Sequence, residues 1–300
     1  MPKRDTHPRR ETLPDAGESS AAILGADVPL QQVGCSNFRL PLRYRGADGS
    51  ETELETSVTG TVSLEAGRKA INMGRIVRLF YERRSEAVSH AMIARVLAAY
   101  KRGIGAKEAR LRLEASHPIA QRSLRSGLTG WQYYRMVLEA GIDGRGRLSR
   151  VIEFDFVYSS TCPSSAALAE HSRRIRGIPA APHSQRSKAR IRVLLAPGRS
   201  LSADDLRKLC SAALSTETQS MVKREDEQAF AELSGSHLKF VEDAARLLYR
   251  GLAADRRIAD FEVACAHLES LHSHDAVSAV CKGVPGGFRA DFRDFSSLLC

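Results

Sequence analysis

The 300-residue chain lacks any run of the ~18 apolar residues that a membrane-crossing helix requires. Its six cysteines (Cys35, Cys162, Cys210, Cys265, Cys281 and Cys300) are sparse and irregularly spaced, with no CxxC pair. That argues against a disulfide scaffold, excludes a zinc ribbon, and points to a reducing cytoplasm. Aromatic residues are scarce, with a single Trp, which is thin for stacking the bases of single strands. No block of Lys and Arg has the length of a nucleic-acid-binding tail. The start, MPKRDTHPRRETLPDAGESS, is basic but leads into no apolar stretch, so it does not read as a secretory signal. No repeat of solenoid length is visible.

What the sequence does have is positive charge. Lys and Arg number 45 against 35 acids, a net charge of +10. Such a balance favours a polyanionic partner. The basic residues are scattered, so a phosphorylated small substrate fits them at least as well as nucleic acid or a membrane surface. Composition is otherwise that of a globular protein.

Residues 1–37 are rich in Pro, Gly, Ser and Asp without apolar period and read as a mobile leader. Residues 38–300 then form a single catalytic unit. Alternation predicts strands over 38–45 and 55–66, about a turn at 47–50. Apolar residues at spacings of three and four predict two helices between Gly74 and Lys101. KEARLRLEA (107–115) reads as a further short helix. Residues 130–141 and 146–161 read as a hairpin. Helices are predicted over 165–176, 202–214, 224–233 and 237–252, the third and fourth separated by Ser234, Gly235 and Ser236. Strands are predicted over 186–196 and 256–271. The fold class is α+β, with antiparallel strands in pairs and helices between them.

Several residues could carry chemistry, and each has a plain alternative. Cys162, in STCPSSAAL, follows a strand and precedes a helix, a place that favours a thiolate. Taken alone it reads first as a small buried hydrophobe, and functionally as a metal ligand or a nucleophile. His183 lies in a Pro-rich loop beside Gln185 and Arg186. In Lys223-Arg224-Glu225-Asp226-Glu227 the acids suit a helix start through its dipole. Glu242 suits the solvated face of an amphipathic helix. In HLESLHSHDA, His272 and His274 share a face if the strand continues, with Glu269 nearby, a pattern suited to metal or proton-transfer work. Arg75, Arg78 and Arg125 are candidate phosphate contacts by charge.

Together these segments resemble one family. INMGRIVRLFYE, SLRSGLTGWQYY, STCPSSAAL, PHSQRSKARI, KREDEQAFAELSGSHLKFVEDAAR and LESLHSHDA occur in the order found in the type B GTP cyclohydrolase I family, from about Phe38 to Phe292. The resemblance implies a tunnel fold, the catalytic unit being built of two tunnel-fold-like halves. It also implies a barrel formed by association of subunits, a homotetramer, and ligands bound at subunit boundaries. It implies a divalent metal, zinc or manganese, on Cys162, His183 and Glu227. Glu242 anchors the guanine edge, accepting from N1–H and the 2-amino group. Glu269 and His272 serve positioning and proton transfer, and Arg75, Arg186, Lys223 and Arg224 are candidates for the triphosphate. The implied reaction is metal-assisted hydrolysis of GTP to 7,8-dihydroneopterin triphosphate and formate, opening folate synthesis. The chain departs from the family pattern at Ala70, Gly74 and Ser164. Two alternatives stand beside this reading. One is a deazaguanine nitrile reductase of the same superfamily, with Cys162 as nucleophile and NADPH as reductant. The other is a basic RNA-binding protein.

Overall fold

Alternating burial runs through eight segments, and these pair into a single antiparallel sheet whose strand order follows the sequence. The structure, a computed structural model, describes residues 22–46 and 49–300. The strands are β1 (Leu30–Arg45), β2 (Glu51–Leu64), β3 (Ala109–Arg122), β4 (Thr129–Ile142), β5 (Leu148–Thr161), β6 (Ser184–Leu195), β7 (Ile258–His267) and β8 (Ala276–Cys281). Helices α1 (Met73–Tyr81) and α2 (His90–Ile104) connect β2 to β3. Helix α3 (Pro163–His171) follows β5, and α4 (Ala203–Leu214), α5 (Arg224–Ser236) and α6 (Val241–Ala254) fill the connection from β6 to β7.

Each strand turns its apolar residues to the helices. On β5 these are Ile152, Phe154, Phe156 and Tyr158, on β6 Ala189, Ile191 and Val193, all fully or almost fully buried. Against them pack Val96, Leu97 and Tyr100 of α2, Leu206 and Cys210 of α4, and Leu248 and Leu252 of α6, in one continuous core. Gly60 of β2 lies so close under Tyr100 that a Cβ there would come within 2.6 Å of the phenol oxygen, so only glycine admits the ring.

The opposite face of the sheet is charged. Arg135 pairs with Glu114 and Glu153, Arg190 with Asp155, and Arg192 with Glu153 and Glu262, a ladder across β3 to β7. The period of two thus serves both layers: apolar under the helices, ionic on the open side.

Several expectations are corrected. Strand β1 begins at Leu30, so residues 30–37 belong to the sheet rather than to a leader; residues 1–21 lie outside those described. The apolar alternation there is hidden by two register shifts, and at the second Asn37 takes a left-handed φ of 57°. Residues 107–115 enter β3 instead of a helix. Ala109, Leu111, Leu113 and Ala115 are buried on alternate positions, and pairing with β2 and β4 overrides the helix propensity of Glu, Ala, Arg and Leu. Strand β7 stops at His267 rather than near 271. Ser234, Gly235 and Ser236 extend α5, and the break falls at 237–240.

Candidate active site

Three strand ends meet at one edge of the helical layer. Thr161, the last residue of β5, pairs with Ser184, the first of β6, and Ser187 pairs with His267, the last of β7. Cys162 is the residue before α3, with Pro163 at the first helical position, where a missing N–H costs nothing. The Cys162 N–H donates to the carbonyl of His183 at 3.3 Å, and the His183 N–H donates to Ser165 Oγ at 3.1 Å. These two hydrogen bonds tie the backbones of Cys162 and His183 to one another across the start of α3.

The His183 ring is oriented through Nδ1. Gln185 Oε1 lies 3.0 Å from it and Glu269 Oε2 3.3 Å. The Gln185 amide is itself fixed, donating through Nε2 to Ser160 Oγ at 2.8 Å. With acceptors on both sides, Nδ1 is placed as a donor, and Nε2 has no protein partner among the described residues. That is the arrangement in which an outer carboxylate and amide prepare an imidazole for a metal. A thiol and a prepared imidazole are donors that suit zinc.

The third expected ligand is not beside them. Glu227, in the first turn of α5, faces a cleft of about 670 Å³ on the open side of the sheet, lined also by Arg186, Lys188, Thr218 and Cys300. Among the described residues no three His, Cys, Asp or Glu side chains come close enough to hold a metal ion. Within one chain the structure thus joins Cys162, His183 and Glu269, and sets Glu227 with Arg186.

The two acidic helix starts divide their labour. At α5, Asp226 is the capping residue: it accepts from the N–H of Lys223 (2.8 Å), Arg125 (2.7 Å) and Ser126 (2.9 Å). Burial would raise its pKa, but these bonds and that of the Ser126 hydroxyl outweigh it and hold the carboxyl well below the usual range. Glu227, Lys223 and Arg224 remain exposed around it. The Arg125 guanidinium is committed to Gln228 and Glu232 of α5, which makes it a structural contact. At α6, Asp243 caps the N–H of Phe240 at 3.0 Å. Glu242 beside it is exposed and has no protein partner among the described residues, as a carboxylate awaiting a ligand requires. The Lys239 N–H donates to the Thr161 carbonyl at 3.2 Å, which docks the start of α6 against the end of β5.

His272 and His274 do not share a strand face, because β7 has already ended; they lie in the bend that follows, with rings stacked at 4.9 Å and 14°. Arg75 stands apart on α1, donating to the Gly103 carbonyl at 2.8 Å.

Sequence reasoning missed the buried polar layer beneath the strand ends. Tyr158 Oη meets His267 Nε2 at 2.9 Å, and Lys239 Nζ donates to Thr216 Oγ1 at 3.1 Å and to the His237 carbonyl at 2.6 Å. Lys239 is only 3% exposed, and burial lowers its pKa to about 8. Burial, and then the Lys239 charge, push His267 down to about 4, so it is neutral. The signals were present: Lys239 is the one charge inside SHLKFV, and His267 ends an otherwise apolar run, VACAH.

Comparison with known proteins follows the same lines. Residues 13–278 match a family model described as type I GTP cyclohydrolase folE2. The chain is 54% identical over 275 residues to GTP cyclohydrolase FolE2 of Cereibacter sphaeroides (strain ATCC 17025), covering 91% of this chain and 76% of that protein. It is 52% identical to GTP cyclohydrolase FolE2 of Paracoccus denitrificans, covering 91% and 85%. Among solved structures, uricase from Arthrobacter globiformis superposes with a TM-score of 0.53 at 13% identity, over 92% of this chain and all of that one. That likeness concerns the fold alone, and it agrees with the expected tunnel fold.

Proposed function

This chain belongs to the type I GTP cyclohydrolase FolE2 family, and from that premise we propose that it hydrolyses GTP to 7,8-dihydroneopterin triphosphate and formate, the opening step of folate synthesis. In this reading Cys162 and His183 hold a divalent metal, zinc or manganese. A bound ion of that kind supplies a water acidic enough to act as hydroxide near neutral pH. Glu227 completes the ligand set from another copy of the chain, in a homotetramer whose sheets close a barrel.

The remaining roles fall to this chain's own side chains. Glu242 accepts from guanine N1–H and the 2-amino group, and so sets the register of the base. Glu269 holds His183 in the Nδ1–H form. His272, with His274 stacked against it, moves protons to and from the opening imidazole ring of the substrate. Arg186, Lys223, Arg224 and Arg75 serve the triphosphate, the last of these from a neighbouring copy.

The observation that carries the reading is the convergence of Cys162, His183 and Glu269 from three strand ends, with His183 Nε2 unengaged among the described residues. The test is incubation of zinc- or manganese-loaded protein with GTP, followed by fluorescence of oxidised neopterin and an assay for formate. Stoichiometric formate and neopterin are the expected products. Intact GTP after prolonged incubation with either metal would overturn the proposal.

A further inference from the structure

Strand β6 carries a row of cations on the open face of the sheet: Arg186, Lys188, Arg190 and Arg192 on alternate positions. Arg190 is committed to Asp155 through two bonds of 2.7 and 2.8 Å, and Arg192 pairs with Glu153 and Glu262. Arg186 and Lys188 have no Asp or Glu partner among the described residues. They donate instead to main-chain oxygens of residues 299 and 300, with Lys188 half-buried and Arg186 still exposed.

After β8 the backbone doubles back under the control of Asp260. Its buried carboxylate accepts from the N–H of Phe261 and Gly283 at 2.9 Å and of Phe288 at 2.6 Å. Gly287 passes so near that a Cβ would lie 1.8 Å from Asp260 Oδ2, so this turn has one shape. Arg192 then stacks on Phe288 at 5.0 Å, and Phe292 meets Phe295 edge to face. Leu298 is completely buried on Ala264 and Ala266 of β7, small residues that make a seat for it. From that anchor Ser297 accepts from Arg190 (2.6 Å), the Leu299 carbonyl from Lys188, and a main-chain oxygen of Cys300 from Arg186 (3.3 Å). Cys300 also forms part of the wall of the cleft that holds Arg186 and Glu227.

We propose that residues 295–300 are an autoinhibitory strap, docked by Leu298, that competes with a phosphate-rich ligand for Arg186, Lys188 and the adjoining cleft. This rests on the reading above that Arg186 serves the triphosphate. The strap offers Arg186 and Lys188 one oxygen each. A triphosphate offers charged oxygens in multidentate array, which are stronger acceptors for both cations. Substrate and strap thus exclude each other, and the docked fraction lowers apparent affinity without touching the reacting atoms. A strap docked about four-fifths of the time weakens apparent affinity about fivefold, because only the open fraction binds.

The test is amide hydrogen exchange of the 292–300 peptide in the full chain, with and without inorganic tripolyphosphate, beside steady-state kinetics with GTP. Tripolyphosphate is expected to speed exchange in that peptide. Leu298→Asp is expected to speed it without ligand, and to lower KM for GTP about fivefold at unchanged kcat. Ser297→Ala, which deletes one acceptor without placing charge in the seat, is expected to act in the same direction and serves if Leu298→Asp fails to fold. Exchange that stays the same or slows with tripolyphosphate would overturn the strap, as would a freed peptide with no fall in KM. The exchange measurement needs no turnover. Loss of protection with tripolyphosphate in a protein that leaves GTP intact would therefore overturn the cyclohydrolase reading and leave the strap standing.

Discussion

The Glu269 carboxylate stands 3.3 Å from Nδ1 of His183, although the two residues lie at the ends of different strands. Together with Gln185 it fixes which ring nitrogen is free. Glu269→Gln is expected to weaken metal retention by roughly 10–100-fold, the usual cost of losing an outer partner of a ligating imidazole. Metal content after dialysis against a graded chelator measures this. Unchanged retention would detach Glu269 from the metal site.

Cys162 has a structural duty only through its backbone, whose N–H bonds the His183 carbonyl. Cys162→Ala should therefore keep the melting temperature of the metal-free protein within a few degrees while abolishing bound metal and activity. Full activity in a metal-free preparation would instead revive Cys162 as a nucleophile.

Glu242 is distinguished from Asp243 by what it does not do, since Asp243 caps α6 and Glu242 has no partner among the described residues. Glu242→Ala is expected to cost GTP binding roughly 1–3 kcal/mol, with metal retained. Glu242→Gln should be milder. Inosine triphosphate, which lacks the 2-amino group, gives a sharper reading: wild type should prefer GTP, and Glu242→Ala should bind both alike. A preference that survives the substitution would move the base anchor elsewhere.

His272→Ala is expected to bind metal and GTP normally and to lose turnover by roughly 10²–10⁴-fold, the usual share of a general acid or base. Single-turnover kinetics at saturating GTP measures it. A near wild-type rate would transfer the role to His274.

His267 is buried and neutral, with a pKa lowered to about 4. The unfolded chain binds a proton at His267 below about 6.5, and the folded chain does so only near 4. Its contribution to stability is therefore complete above pH 6.5 and is lost as pH falls through that window, by about 3 kcal/mol at most. Urea midpoints measured from pH 7.5 to 4.5 should fall more steeply in wild type than in His267→Gln. Parallel slopes would mean that other groups set the acid sensitivity.

Much of this was legible in the sequence, for reasons that differ by element. The two layers of β5 and β6 are written in strict alternation, and Ser202 before Ala-Asp-Asp marks the start of α4, where the structure shows a reciprocal cap with Asp205. Residues 107–115 misled because Glu, Ala, Arg and Leu favour helices locally, while the partners that make them a strand lie on β2 and β4, far away in sequence. The β1 segment 30–37 was hidden by its register shifts. At the site, the family motifs pointed to Cys162, His183 and Glu269. They could not reveal that Asp226 rather than Glu227 caps α5, since both fit a helix start by charge. Lys239 and His267 left a local trace, a lone charge or imidazole in an apolar run, but that Tyr158, His267 and Lys239 form one buried polar layer is decided by packing between elements far apart in sequence.

The strand order has a kinetic consequence. Because each strand pairs with its neighbours in sequence, the sheet can grow by successive hairpins from more than one starting point, and no strand waits for a distant partner to be threaded between two others. Two pairings close over long helical segments: β2–β3 over α1 and α2, and β6–β7, the longer, over α4, α5 and α6. Loop-closure entropy rises with the length of such a segment. The β6–β7 pair carries the Ser187–His267 register on which the meeting of Cys162, His183 and Glu269 depends. The candidate active-site edge therefore depends on the longest loop closure in the sheet, and a chain in which β6 and β7 had not paired would hold most of its strands without that edge.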